Sequence, residues 1–175
     1  MNDHESKDYW NRKWGREETG YHEEARKELF AELQPYLRNS VIDLGCGDGM
    51  LGKAQGSRYY GIDFSEVAIK RARENCPHGK FEVADIRNTG LPDKAFDTVV
   101  LNAILEHFVD FEFVLREARR LAKNWIVVVV SYNCRGAEHY WPAWTVEDMI
   151  LRLGGLGECI EARKFKCWVM GVFEA

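Results

Sequence analysis

The sequence predicts an α/β domain built on a doubly wound, mostly parallel sheet, and three observations carry that prediction. Short β-branched runs alternate with stretches of helical spacing along the chain. One run, "WIVVVV", is apolar at consecutive positions, as a central parallel strand covered on both faces must be. The stretch "VIDLGCGDGM" places three glycines at alternate positions directly behind a strand-like run, where the first loop of such a sheet meets a ligand.

Element by element, the expected strands are Val41–Leu44, Tyr59–Ile62, Phe81–Ala84, Phe96–Leu101 and Ile126–Val130. Ahead of the first, Ala25, Leu29, Phe30, Leu33 and Leu37 recur at helical spacing, with Pro35 set to distort the last turns. Ser65 is placed to cap a helix carrying Ile69, Ala72 and Cys76 on one face. Asp110 is placed to cap another, carrying Phe111, Val114, Leu115, Ala118 and Leu121. "TVEDMILRLGG" is bracketed as a helix by Thr145, early acids and terminal glycines. The tail, "ECIEARKF" then "CWVMGVFEA", reads as two strands too close in sequence for a helical crossover, so they pair antiparallel.

Composition narrows the function classes. A chain of 175 residues, 46% hydrophobic and 13% aromatic, suits one domain over 1–175. With 24 Lys and Arg against 28 Asp and Glu the net charge is -4, so no general attraction to nucleic acid or anionic membrane is built in. The longest strongly apolar run is too short to cross a bilayer, and the N-terminus "MNDHESKDYW" lacks the basic-then-apolar pattern of a leader. Cys46, Cys76, Cys134, Cys159 and Cys167 form no C-x-x-C pair and read as reduced thiols of a cytoplasmic protein. Cys134 and His139 are two metal-ligand types without a third and fourth at suitable spacing, so no metal is expected.

The glycine loop narrows the ligand. Gly45, Gly47 and Gly49 suit positions where a Cβ would forbid the backbone angles or bar a ligand from the main chain. A dinucleotide fingerprint requires G-x-G-x-x-G, and its third glycine would fall on Met50. The spacing is instead acid-x-G-x-G-x-G, headed by Asp43.

That pattern resembles motif I of the class I S-adenosylmethionine-dependent methyltransferases, and further pieces match in order. "YYGIDFS" resembles their second strand, whose terminal acid meets the ribose hydroxyls; here it is Asp63, followed by Phe64. "FEVADI" resembles their third strand and loop, where Asp85 would accept from the adenine amine and the Ile86 backbone would meet the ring. "FDTVVLNAILEH" resembles the fourth strand and the segment after it. The resemblance implies that the main chain near Asn102 and Ala103 touches the methionine amino group and that His107 faces the acceptor; its chemistry there suits a general base, while with Glu106 it could instead cap or orient the following helix. A shorter likeness, in "EARRLAKNWIVVVVSYN", is to the small stand-alone MetW-like domains linked with methionine biosynthesis. The family implies a Rossmann-like seven-stranded, mostly parallel sheet with helices on both faces and a C-terminal antiparallel hairpin.

Outside those motifs, residues 1–22 are expected to act as a lid. Tyr9, Trp10 and Trp14 are dense aromatics that can face a sulfonium or pack a surface helix, and Arg12 or Lys13 can reach the methionine carboxylate. Tyr132, His139, Tyr140 and Trp141 form a second candidate acceptor wall. Cys46 lies inside the cofactor loop as a small filler, and Asp48 reads as a solvated loop acid. Only "MLGKAQGSR" separates the glycines from the second strand, so the intervening helix must be a turn or two. The expectation is a methyltransferase that uses S-adenosyl-L-methionine on a small-molecule acceptor. The N-P-P-Y type motif for exocyclic base amines is absent at Leu101–Leu105. Two other readings stay open: a non-catalytic partner subunit of the same fold, and an RNA methyltransferase using Lys70, Arg71 and Arg73.

Overall fold

The computed structural model describes residues 6–16, 23–132, 140 and 144–175. Seven strands form one sheet in the order β3-β2-β1-β4-β5-β7-β6. In chain order these are β1 (Val41–Leu44), β2 (Tyr59–Asp63), β3 (Lys80–Val83), β4 (Phe96–Asn102), β5 (Ala122–Ser131), β6 (Glu158–Phe165) and β7 (Trp168–Glu174). Strands β1 to β5 run parallel, while β7 is antiparallel to both β5 and β6. The chain leaves β1 first toward β2 and β3, then returns to its other side for β4. The switch point, where a doubly wound sheet opens a crevice, therefore lies between β1 and β4.

The period-2 alternation of the central strands decides which helix packs where. Val99, Leu101, Ile126, Val128 and Val130 face one layer, built with α4 (Glu112–Leu121) and α5 (Val146–Leu153). Val100, Val127, Val129 and Met170 face the other, with α2 (Glu23–Leu33) and α3 (Glu66–Asn75). Both faces are covered, which is why β5 reads as a continuous apolar run from Ile126 to Val130.

Most local expectations hold, and the departures have local causes. Ser65 caps α3 through Ala68 N–H, and Thr145 makes a reciprocal capping box with Asp148 at the start of α5. Pro35 sits in a 3₁₀ turn, Gln34–Tyr36, at the end of α2. The cap of α4 falls at Phe111 rather than Asp110, because Asp110 accepts from the N–H of Glu112 at 2.9 Å from one position further out. Strand β5 begins immediately where α4 ends, four residues before the expected Ile126, with a register shift against β4 between Phe96 and Thr98. Behind the glycine loop stand only two 3₁₀ turns, Met50–Ala54 and Gly56–Arg58, matching the short connection. The N-terminal aromatics fall on α1 (Lys7–Trp14), which has Ser6 as its cap and no fully buried residue. Among the described residues no helix is long and apolar enough to cross a membrane.

Candidate functional site

A cavity of about 270 Å³ opens at the switch point, beyond the C-terminal ends of β1, β2 and β4. Its floor is the glycine loop. The N–H groups of Gly45 and Cys46 both donate to Ile62 O, at 2.8 and 2.9 Å, which draws the loop across the end of β2. Gly47 has φ +52°, a conformation that disfavours a side chain, and a Cβ there would stand 2.6 Å from the Trp14 ring. Gly45 packs against Ile104 of the segment after β4. Gly49 lies away from the cavity, with Ala72 of α3 in the place a Cβ would need.

Three acids serve this floor in different ways. Asp63 ends β2 and lines the cavity while only 6% exposed. Its Oδ2 accepts from Gly47 N–H at 3.0 Å and its Oδ1 from Ser65 N–H at 2.9 Å. Burial pushes its carboxyl up to about 6, against the pull of those backbone donors. Asp43 lies beneath the loop and outside the cavity lining. Its Oδ2 accepts the Tyr59 hydroxyl, its Oδ1 has no partner among the described residues, and burial pushes it up to about 7. Asp85 is at the far rim, half exposed, and held below the usual carboxylate range by hydrogen bonds from Arg87 at 2.6 to 3.0 Å.

Beyond β4 the backbone turns sharply. Ala103 has φ +52° and donates its N–H to Val129 O at 2.9 Å. That turn brings Ile104, His107 and Phe108 to the cavity wall, while the Oδ1 of Asn102 is buried without a partner among the described residues. His107 is 6% exposed and meets the Trp10 ring edge-on at 4.8 Å. Its neighbour Glu106 is fully buried and turns away, accepting the N–H and hydroxyl of Ser131 at 3.2 and 2.8 Å.

The expected site residues largely converge. Gly45, Cys46, Gly47, Asp63, Phe64, Asp85, Ile86, Asn102, Ala103, His107, Trp10 and Trp14 all line the one cavity. Cys46 is buried beside Asp63 and Asp43, and burial foremost raises its thiol well above the ordinary range. Arg12 does not join them. On α1 the positions 10, 13 and 14 share a face, so Lys13 reaches the cavity with Trp10 and Trp14 while Arg12 is on the exposed side. Tyr9 packs edge-on against Trp10 outside the lining. Asp48 is not a solvated acid: it is 8% exposed and paired in two hydrogen bonds with Arg26, at 2.6 and 3.1 Å. Of the second acceptor wall, Tyr132 and Tyr140 are outside the lining, and His139 and Trp141, like Cys134, lie outside the described residues.

Sequence reasoning missed Arg26, Leu29, Phe30 and Trp168, which also line the cavity. The first three had a signal, since Arg26 stands at i−3 and i−4 from Leu29 and Phe30, a cation on the apolar face of α2. Trp168 had none. It opens β7 opposite Ser131, and only the antiparallel return of that strand carries it to the cavity end of the sheet.

A family model described as a methyltransferase domain matches residues 42–128, from β1 through most of β5. The chain is 34% identical over 91 residues to a trans-aconitate 2-methyltransferase of Variovorax paradoxus, covering 49% of this chain and 35% of that protein. It is 32% identical over 127 residues to a ubiquinone biosynthesis O-methyltransferase of Thiobacillus denitrificans, covering 68% and 55%. The chain thus spans roughly a third to a half of the length of these curated relatives. Among solved structures, the N-methyltransferase NodS from Bradyrhizobium japonicum in complex with S-adenosyl-L-homocysteine superposes with TM-score 0.77 at 15% identity, over 95% of this chain and 96% of that one. At that identity the likeness is one of fold.

Proposed function

We propose that the chain, a member of the methyltransferase-domain family whose model its residues 42–128 match, transfers a methyl group from S-adenosyl-L-methionine to a small-molecule acceptor. The observation that carries this reading is Asp63: a buried carboxylate at the end of β2 and the edge of the glycine loop, each oxygen holding one backbone N–H and keeping a further lone pair for a ribose hydroxyl. The orphaned Asn102 Oδ1 and the Gly47 backbone, both in the cavity lining, fit the methionine end of the same ligand.

The remaining roles follow from position. Asp85 and Ile86 take the adenine, with Asp85 shared between the base and Arg87. Lys13 at the rim serves the methionine carboxylate in place of Arg12. Trp10 and Trp14 cover the centre of the cavity, where aromatic faces favour a sulfonium. When bound, the cofactor supplies a methyl group already activated by positive sulfur. The protein's task is to align an acceptor with it, which contributes on the order of 7–11 kcal/mol, and to keep water out. His107 takes the acceptor's proton if that acceptor is a hydroxyl or amine.

Leu29, Phe30, Ile104, Phe108 and Trp168 support an acceptor with a substantial apolar part. A long nucleic acid is disfavoured by the net charge of -4, and Arg71 and Arg73 already donate to the carbonyls of Arg16 and Phe81. The unbridged thiols of Cys46, Cys76 and Cys159 support a cytoplasmic location. Titration calorimetry with S-adenosylmethionine and S-adenosylhomocysteine tests the proposal; absence of binding at millimolar cofactor would overturn it.

A further inference from the structure

We infer that Asn11 is a positioning residue that couples the placement of α1 over the cavity to Asp63, an inference that rests on Asp63 being the ribose ligand. Helix α1 has no fully buried residue, so apolar packing alone does not hold it in place. Its exposed ties include the Lys7–Glu66 ion pair and, just past its end, the hydrogen bond from Arg71 to Arg16 O, interactions of a kind that solvent largely screens.

Asn11 makes a different connection. Its Oδ1 accepts the hydroxyl of Ser65 at 2.7 Å and lies 3.5 Å from Val67 N. Ser65 is fully buried and works in three directions. Its Oγ accepts Ala68 N–H as the cap of α3, its hydroxyl proton goes to Asn11, and its own N–H donates to Asp63 Oδ1. The opposite oxygen of Asp63 takes Gly47 N–H, and Gly47 lies under Trp14, one helical turn along α1 from Asn11. Asn11, Ser65, Asp63, Gly47 and Trp14 therefore close a ring that leaves α1 and returns to it. Anything that fixes the Asp63 carboxylate also fixes Ser65 and Gly47, and with them the two contacts of α1, at Asn11 and Trp14, that close the ring. Ribose contact at Asp63 and closure of Trp10 and Trp14 become one event.

The test uses the full chain with S-adenosylhomocysteine, comparing the parent, Asn11→Ala and Asn11→Asp by calorimetry and by the change in tryptophan fluorescence on binding. Asn11→Ala removes the acceptor and should weaken binding about five- to tenfold, the scale of one hydrogen bond, with most of the fluorescence change lost. Asn11→Asp keeps the acceptor oxygen at the N-terminus of α3, where an anion is tolerated, and should recover both readouts. Asn11→Ala should also lower the melting temperature without ligand by a few degrees, because it strands the buried Ser65 hydroxyl, and Asn11→Asp should restore it. Equal affinity in parent and Asn11→Ala, no recovery in Asn11→Asp, or a loss confined to ligand-free stability would each overturn the coupling. Failure of the parent itself to bind would instead overturn the cofactor reading on which it stands.

Discussion

Protonation of Asp63 should weaken S-adenosylhomocysteine binding about tenfold as the pH is lowered from 7 to 5. Burial raises that carboxyl from 3.8 to about 6, while the backbone N–H groups of Ser65, Gly47 and Phe64 limit the rise. A group with that pKa is roughly ten-elevenths ionised at pH 7 and one-eleventh at pH 5, and the ratio of those fractions sets the loss. Only the ionised form can keep both backbone donors and still accept two hydroxyls. The sense for folding is the reverse. A raised carboxyl disfavours its charged form in the folded chain, so ligand-free stability declines as pH rises from the ordinary carboxylate range through about 6. Asp63→Asn retains a single acceptor oxygen and should bind more weakly at pH 7 with a flat profile. Asp63→Ala gives up two charge-assisted bonds at roughly 1.5 kcal/mol each, about 150-fold in affinity. Calorimetry at pH 5, 6, 7 and 8 on the three proteins measures these slopes. A flat profile in the parent, or the parent's slope retained in Asp63→Asn, would refute the reasoning.

Other consequences are as direct. Gly47→Ala places a Cβ at φ +52° and against Trp14, so it should cost about 1–2 kcal/mol from the backbone and weaken cofactor binding further; combining it with Trp14→Ala should relieve the steric part, by thermal melts and calorimetry. Asp48→Ala should destabilise the fold by about 1–3 kcal/mol because it strands the half-buried Arg26, and a double-mutant cycle with Arg26→Ala should recover part of that loss. Thr145→Ala removes the α5 capping box and should cost about 1 kcal/mol in denaturant unfolding, with cofactor affinity unchanged. Asp43, raised to about 7 by burial, should make the ligand-free protein lose stability as pH climbs toward 8, and Asp43→Asn should shrink the difference between melting temperatures at pH 5 and pH 8.

Local chemistry was legible wherever a residue's role depends on neighbours within a turn or two. Val41–Leu44 is bounded as expected because its apolar run ends at Gly45, and Ser65 and Thr145 cap because their hydroxyls reach amides three residues on. Asp63 and Asp85 could be placed because the first ends a strand whose pattern is readable and the second follows the next strand by two residues. Reading failed by one residue where two neighbours compete, at Asp110 and Phe111, and it left Arg12 and Lys13 as alternatives, of which the helix wheel turns Lys13 to the cavity. It misjudged Asp48 entirely, because the guanidinium that buries and neutralises it is 22 residues away on α2.

The sequence by itself determined the doubly wound architecture, the glycine loop at its switch point, and the acids that follow the next two strands. These rest on hydrophobic period and on backbone angles, both properties of short segments. Tertiary structure alone decided that α1 closes over the loop through Asn11 and Trp14, that Arg26 neutralises Asp48, and that β7 returns to bring Trp168 to the cavity. Each of those joins groups far apart in the chain. Their free energy comes from packing and desolvation that exist only once the sheet has assembled, and no local pattern records them.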